Sequence, residues 1–316
     1  MSWRAALSVC AALAAAGPAA AERLLDDPAY WLTRIAESAR QVHYHGEVIY
    51  RHADRVEAME LVRRGGADEY FERLLALDGV PREVLRDGKS ITCVLPEGRG
   101  SLAGQRVPRN PFPGADWHYS DDVARHYEFL DLGDGRVAGR TCKVIGVRPR
   151  DNLRYGYRLW VDTDSGLLLR ADTVDEDGEV VEQVAFTRVR LPEEIEDRHL
   201  VATLTGETLR WTVDTALGDA ESQWRIGAVP TGFSQQAVRS RRPGATQHVL
   251  SDGLATVSVF VSPVHADKPR LAGTSRMGAV SAFGTVIDGH QVTVVGEVPV
   301  ATVRSIGESL VPGARP

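Results

Sequence analysis

Three histidines in "VHYHGEVIYRH" (42–52) offer the first chance of chemistry. His43 and His45 stand two apart, so in a strand they share one face, with His52 nearby. Two imidazoles at that spacing can ligate zinc, but a zinc site needs at least a third protein ligand. No partner motif accompanies them, and Glu47 and Arg51 make the face polar, which reads as a solvated strand. The acidic turns "DTDSG" (162–166) and "DEDG" (175–178) hold fragments of a calcium loop without its spaced oxygens or flanking helices. "GDGRVAG" (133–139) is one residue too long for a dinucleotide fingerprint, and no helix opens after it. G-x-S-x-G, H-E-x-x-H, C-x-x-C and the P-loop are all missing. A carboxylate pair for glycoside hydrolysis obeys no spacing rule and stays open. The residues therefore name no catalytic group, metal or cofactor, and the balance moves from enzyme toward binding protein.

Recognition chemistry is better represented. The net charge of -6 argues against nonspecific nucleic-acid binding. Lys89, Lys143 and Lys268 are the only lysines, so nearly every cation is an arginine, suited to planar contacts with carboxylate or phosphate. "VRSRRPG" gathers Arg239, Arg241 and Arg242, with Arg239 and Arg241 on one strand face. They are either solvated edge charges or a fork for a partner's carboxylates or phosphates.

Residues 1–21 read as a secretory signal peptide: Arg4, the apolar run 5–16, then Ala19-Ala20-Ala21. No later run is long and apolar enough to span a bilayer. Export places Cys93 and Cys142 where a disulfide can form; two separate buried thiols are the alternative. "DDPAYWLTRIAESARQ" (26–41) predicts a helix, capped by Asp27, opened by Pro28 and striped by Leu32, Ile35, Ala36 and Ala39. After it come nine or ten β-prone runs joined by turn chemistry such as Asp78-Gly79 and Asp87-Gly88, which predicts an antiparallel meander curled into a barrel-like sheet. Tyr44, Val48 and Tyr50 share one face, as do Tyr157, Leu159 and Val161. These faces either pack a core or line an apolar cavity for an acyl chain. Residues 97–119 read as a long loop, and 192–222 as a connection to a smaller domain over 223–316 that ends in a helix carrying Val300, Val303, Ile306 and Leu310.

At this point the chain resembles the MucB/RseB family of periplasmic regulators of the envelope-stress sigma factor. The resemblance rests on "LLALDGVPREVLRDGKSI" (74–91), "RTCKVIGVRPRDNLRYGYRLWVDTDSGLLLRADTVDEDGEVVEQ" (141–183), "VPTGFS" (229–234), "SRRP" (240–243), "LSDGLATVSVFV" (250–261) and "VTVVGEVPVATVRSIGES" (292–309). It implies a mainly β, α+β protein: a LolA-like unclosed antiparallel barrel with helices over 22–191, then a C-terminal α/β domain. It implies a non-enzymatic periplasmic protein. Such a protein binds the periplasmic segment of a MucA/RseA-like anti-sigma factor, shields it from proteolysis, and is released by lipid or lipopolysaccharide. On that reading Arg239, Arg241 and Arg242, with Trp224 and Phe233 as aromatic anchors, are the docking candidates. Tyr44, Val48, Tyr50, Tyr157, Leu159 and Val161 then line the lipid cavity. A lipid or lipoprotein carrier and a periplasmic hydrolase are the rival readings, and the oligomeric state, including a homo-oligomer, is open.

Overall fold

The structure, a computed structural model, describes residues 27–66, 70–97, 112–114, 117, 119–212, 222–242, 245–264 and 271–313. The expected signal peptide and most of the loop 97–119 lie outside the described residues.

Helix α1 (Pro28–Gln41) starts where the sequence places it: Asp27 Oδ1 accepts the Ala29 N–H at 2.9 Å, and the chain turns extended at Val42. Trp31, Leu32 and Ile35 are buried along one face. Alternation then drives β1 (Tyr44–His52), β2 (Arg55–Arg64), β3 (Phe71–Ala76), β4 (Glu83–Arg86) and β5 (Ser90–Leu95). A short helix α2 (Asp121–His126), capped by Ser120, leads to β6 (Tyr127–Val137), β7 (Arg140–Pro149), β8 (Gly156–Asp162), β9 (Leu168–Val174) and β10 (Val180–Arg190). With β11 (Glu207–Thr212) these form one antiparallel sheet in the order β11-β5-β4-β3-β2-β1-β10-β9-β8-β7-β6. The end strands β11 and β6 do not pair with each other, so the barrel is unclosed. The sheet nevertheless curls. Cys93 of β5 and Cys142 of β7, far apart in strand order, fall in one core with Tyr44, Leu61, Leu169 and Phe186. The adjoining core sets α1 against Ile145, Tyr157, Leu159, Val161 and Val184 of β7, β8 and β10.

The stretch expected as a bare connection, 192–222, contributes to this sheet. Ile195 is buried, Glu83 accepts the Thr203 and Leu204 N–H groups at 2.8 Å each, and β11 extends the edge beside β5. A pattern reading misses the pairing because Leu209 and Trp211 are the only apolar residues of the strand and Glu207 takes the third position on their face.

The second unit is a six-stranded antiparallel sheet. Its strands are β13 (Ser234–Arg242), β14 (Ala245–Ser251), β15 (Thr256–Pro263), β16 (Gly273–Met277), β17 (Val280–Ile287) and β18 (His290–Gly296). Their order is β13-β14-β15-β18-β17-β16. Helix α3 (Val300–Glu308) covers one face with Val303 and Ile306 on Val257, Val259, Val292 and Val294. The helix stops two residues short of Leu310, which instead starts β19 (Leu310–Pro312) and pairs with β12 (Trp224–Ile226). Leu310 stays on the core as expected, carried by a strand rather than the helix.

Cys93 and Cys142 are both free and fully buried, so the disulfide is not formed. Burial pushes both thiols up, Cys142 to about 11. A thiolate-dependent reagent such as Ellman's should find no reactive thiol from residue 22 onward at pH 8 and two after denaturation. Two thiols titrating in the native protein would contradict the packing described.

Candidate functional site

The two sheets meet around one guanidinium. Asp151, in the β7–β8 turn, accepts the Leu153 N–H at 3.0 Å, which folds the turn so that Arg154 points into the second unit. Arg154 is 2% exposed. Its Nη1 donates to Asp252 Oδ2 at 3.0 Å, Nη2 to the Thr231 carbonyl at 2.5 Å and Nε to Asp151 at 3.1 Å. The guanidinium lies 5.0 Å from the Phe233 ring and 5.5 Å from Tyr127. Tyr127 Oη donates to the same Asp252 oxygen at 2.8 Å, and burial together with that carboxylate holds the phenol well above its ordinary pKa. Asp252 Oδ1 accepts the N–H groups of Leu254 and Ala255 at 3.0 and 2.7 Å. Each guanidinium nitrogen and each carboxylate oxygen thus has a partner, which a buried ion pair requires.

Smaller contacts flank it. Trp117 Nε1 donates to the Leu254 carbonyl at 3.0 Å, and Thr302 Oγ1 to that of Leu153 at 2.7 Å. The β16–β17 turn enters against β1 and β10, where Glu182 accepts the Ala279 N–H at 3.1 Å. Gly278 in that turn has φ +58, and a Cβ there would stand 2.9 Å from Glu182 Oε2 and 3.0 Å from His52 Cβ, so backbone conformation and space both call for glycine.

Among the described residues, one recess lies in each unit. The first, about 30 Å³, sits between α1 and the concave face, lined by Ile35, Ala39, Phe112, Leu168 and Phe186, with Tyr44 and Arg63 at one wall. It has room for about two waters. Beneath it Glu72 bridges Arg63 at 3.1 Å and Arg86 at 2.5 Å, all three buried, while Arg63 Nε has no hydrogen-bond partner. The second is a groove of about 370 Å³ in the smaller unit, lined by Trp224, Arg225, Ile226 and Val229 on one side and Gln235, Val238 and His248 on the other. His248 is 1% exposed and holds Ser222 Oγ at 2.9 Å and Gln235 Oε1 at 3.0 Å through its two ring nitrogens. Burial lowers its pKa.

Comparison with known proteins gives these features a setting. The family model described as the MucB/RseB N-terminal domain matches residues 27–204, and that of the MucB/RseB C-terminal domain matches 218–311. The chain belongs to the MucB/RseB family. It is similar to the sigma factor AlgU regulatory protein MucB of Pseudomonas aeruginosa, 33% identical over 302 residues, covering 91% of this chain and 92% of that protein. It is also similar to the sigma-E factor regulatory protein RseB of Escherichia coli K12, 31% identical over 291 residues and 90% of each. A solved MucA/MucB complex from P. aeruginosa aligns with a TM-score of 0.71 at 30% identity, covering 92% of this chain and 100% of that one.

On this MucB/RseB scaffold the residues singled out from sequence fall in different places. Tyr157, Leu159 and Val161 are packed against α1, and Tyr44 and Val48 in the adjoining core; Tyr50 is partly buried between the two. Of the six, Tyr44 alone lines the recess. Trp224 borders the groove, its ring 5.1 Å from His290. Phe233, expected as an exposed aromatic, is 7% exposed, with its ring under Arg154. The side chains of Arg239, Arg241 and Arg242 lie outside the described residues; their backbone forms β13. His45 pairs with Glu60 at 2.7 Å, His52 with Glu57 at 3.2 Å, and His43 Nδ1 accepts the Gly65 N–H at 3.1 Å, which leaves them on separate partners. Arg154, Asp252 and His248 escaped sequence reasoning. Each sits in a turn or strand whose pattern is fully explained without it, and the contacts that join the two units, Arg154 with Asp252 and Thr231, are distant in sequence.

Arg154→Ala should cost about 3–5 kcal/mol in urea unfolding, since it strands the Asp252 carboxylate. The double variant Arg154→Met, Asp252→Leu should cost clearly less than Arg154→Ala alone. Equal unfolding of Arg154→Ala and wild type would show that the pair does not hold the junction. A second expectation concerns pH. Folded His248 binds its proton less readily than the unfolded chain, whose value is near 6.5. The stability it contributes is therefore complete above that value and is lost as pH falls below it. Between pH 7.5 and 5 the melting temperature should fall further for wild type than for His248→Asn; parallel curves would contradict this.

Proposed function

We propose that this chain is a non-catalytic periplasmic regulator that binds the periplasmic segment of a MucA/RseA-like membrane anti-sigma factor and keeps it from proteolysis until lipid signals stress. One observation carries the reading: a family member whose full solved length aligns with this chain is complexed with MucA. The binding surface we assign is the groove of the smaller unit, where Trp224 and the exposed Val229 offer apolar contact and Arg225 a cation. Arg239, Arg241 and Arg242 follow on the adjoining strand, a charge set that suits an acidic segment.

The lipid part of the proposal carries a physical requirement. Among the described residues α1 and Phe112 pack on the concave face, and the recess beside them is about 30 Å³, so an acyl chain entering there displaces one of them. At about 0.8 kcal/mol per buried methylene, a long chain supplies the several kcal/mol such a displacement takes. Release then follows by linkage, to the extent that lipid prefers the displaced form.

Purified chain should retain the anti-sigma periplasmic segment on a column and slow its cleavage by the site-1 protease; cleavage at the rate of the free segment would overturn the proposal. Arg241→Glu should weaken retention with the circular dichroism unchanged. Saturating lipid A or a long-chain amphiphile should raise the dissociation constant; an unchanged value would remove lipid from the mechanism. Capture of a lipoprotein in place of the anti-sigma factor would favour a carrier.

A further inference from the structure

We propose that the groove between β12 and β13 receives an extended polypeptide segment by main-chain pairing, adding a strand to the edge of β12. The inference rests on the proposed binding of an anti-sigma segment and names how that segment is held.

The register of β12 carries the argument. Gly227 N–H donates to the Ser309 carbonyl at 2.8 Å and Gln223 C=O accepts from Gly313 N–H at 2.6 Å, so odd-numbered residues turn their main chain toward β19. In an antiparallel pair the N–H and C=O of alternate residues point to opposite sides. Trp224 and Ile226 therefore aim theirs away from β19, and Pro312 opposite Trp224 has no N–H to offer in any case. The Trp224 N–H is met by Ser222 Oγ at 3.1 Å; among the described residues β12 pairs with β19 alone, so the Trp224 carbonyl and both Ile226 groups stand on an edge off that ladder, its Ile226 end 8% exposed. β13 is also an edge strand, bonded only to β14 among the described residues.

Residues from both strands line the groove. Its polar floor is already internally bonded, since His248 is engaged at both ring nitrogens by Ser222 and Gln235. What the groove still offers is backbone pairing at the edge and apolar contact with Val229, 41% exposed. That combination suits an extended chain with an apolar side chain at alternate positions. With three residues in β12, the paired stretch is about three to four residues long at about 3.4 Å each. Arg225 at the border favours acidic flanks.

The test uses overlapping synthetic peptides that tile the anti-sigma periplasmic segment, titrated into the full chain. One peptide should bind. N-methylation of its backbone should weaken binding about tenfold at alternate residues, with the residues between them affected little, because only every second N–H faces β12. Val229→Arg should weaken the same peptide about tenfold with melting temperature unchanged. N-methyl effects without alternation, or full affinity of Val229→Arg, would overturn strand addition while binding of the intact segment left the proposed function standing. No binding of the intact segment to wild type would bring down both. A dimer of this chain that Val229→Arg dissociates would make a second copy the occupant and overturn the inference.

Discussion

A carboxylate with no access to water must find its full set of donors inside the protein, and Asp252 finds them in both halves of the molecule. Arg154 and Tyr127 come from the large sheet, and the N–H groups of Leu254 and Ala255 from its own turn. Such a pair adds little net stability over an apolar contact, but it tolerates few geometries. Rotating one sheet against the other would break several charge-assisted bonds at once. The junction therefore has one well-defined arrangement, and the apolar contacts of Trp117, Phe233 and Leu254 pack around it.

This arrangement connects the two recesses through short stretches of chain. His248 at the groove and Asp252 at the junction lie on either side of the end of β14, four residues apart. Leu254 follows immediately and is buried in the α1-lined core of the large unit. A segment seated on the groove and an amphiphile pushing on that core would act on the same few residues. Under the proposed function, this is where the differential affinity for two states would be expressed. The buried Arg63–Glu72–Arg86 cluster lies below the recess, with Glu72 bridging the two arginines.

The fold was legible wherever a local rule decides it. Helix α1 was visible in its cap and stripe, the hairpins in their Asp-Gly turns, and the smaller unit in its runs of valine. β11 was not, because an edge strand with a polar majority has no alternation strong enough to announce itself. The end of α3 was misplaced because Leu310 keeps the apolar spacing of a helix while its backbone already pairs with β12. Phe233 looked like an interface aromatic because a lone Phe beside Gly232 in a turn carries no sign of whether its ring faces water or an arginine from the other half.

By itself the sequence determined the class of the protein: antiparallel, two-part, exported in expectation, without a catalytic motif, and a relative of MucB and RseB. Those properties are written in neighbours a few residues apart, where periodicity and turn chemistry act. Only the tertiary structure decided that Arg154 meets Asp252 across 98 positions, that α1 and Phe112 pack against the concave face, and that β12 pairs with β19 alone among the described residues. Each of these depends on which distant side chains and backbone groups the curl of a sheet brings together. That is a matter of long-range packing, to which residue type and spacing along the chain are blind.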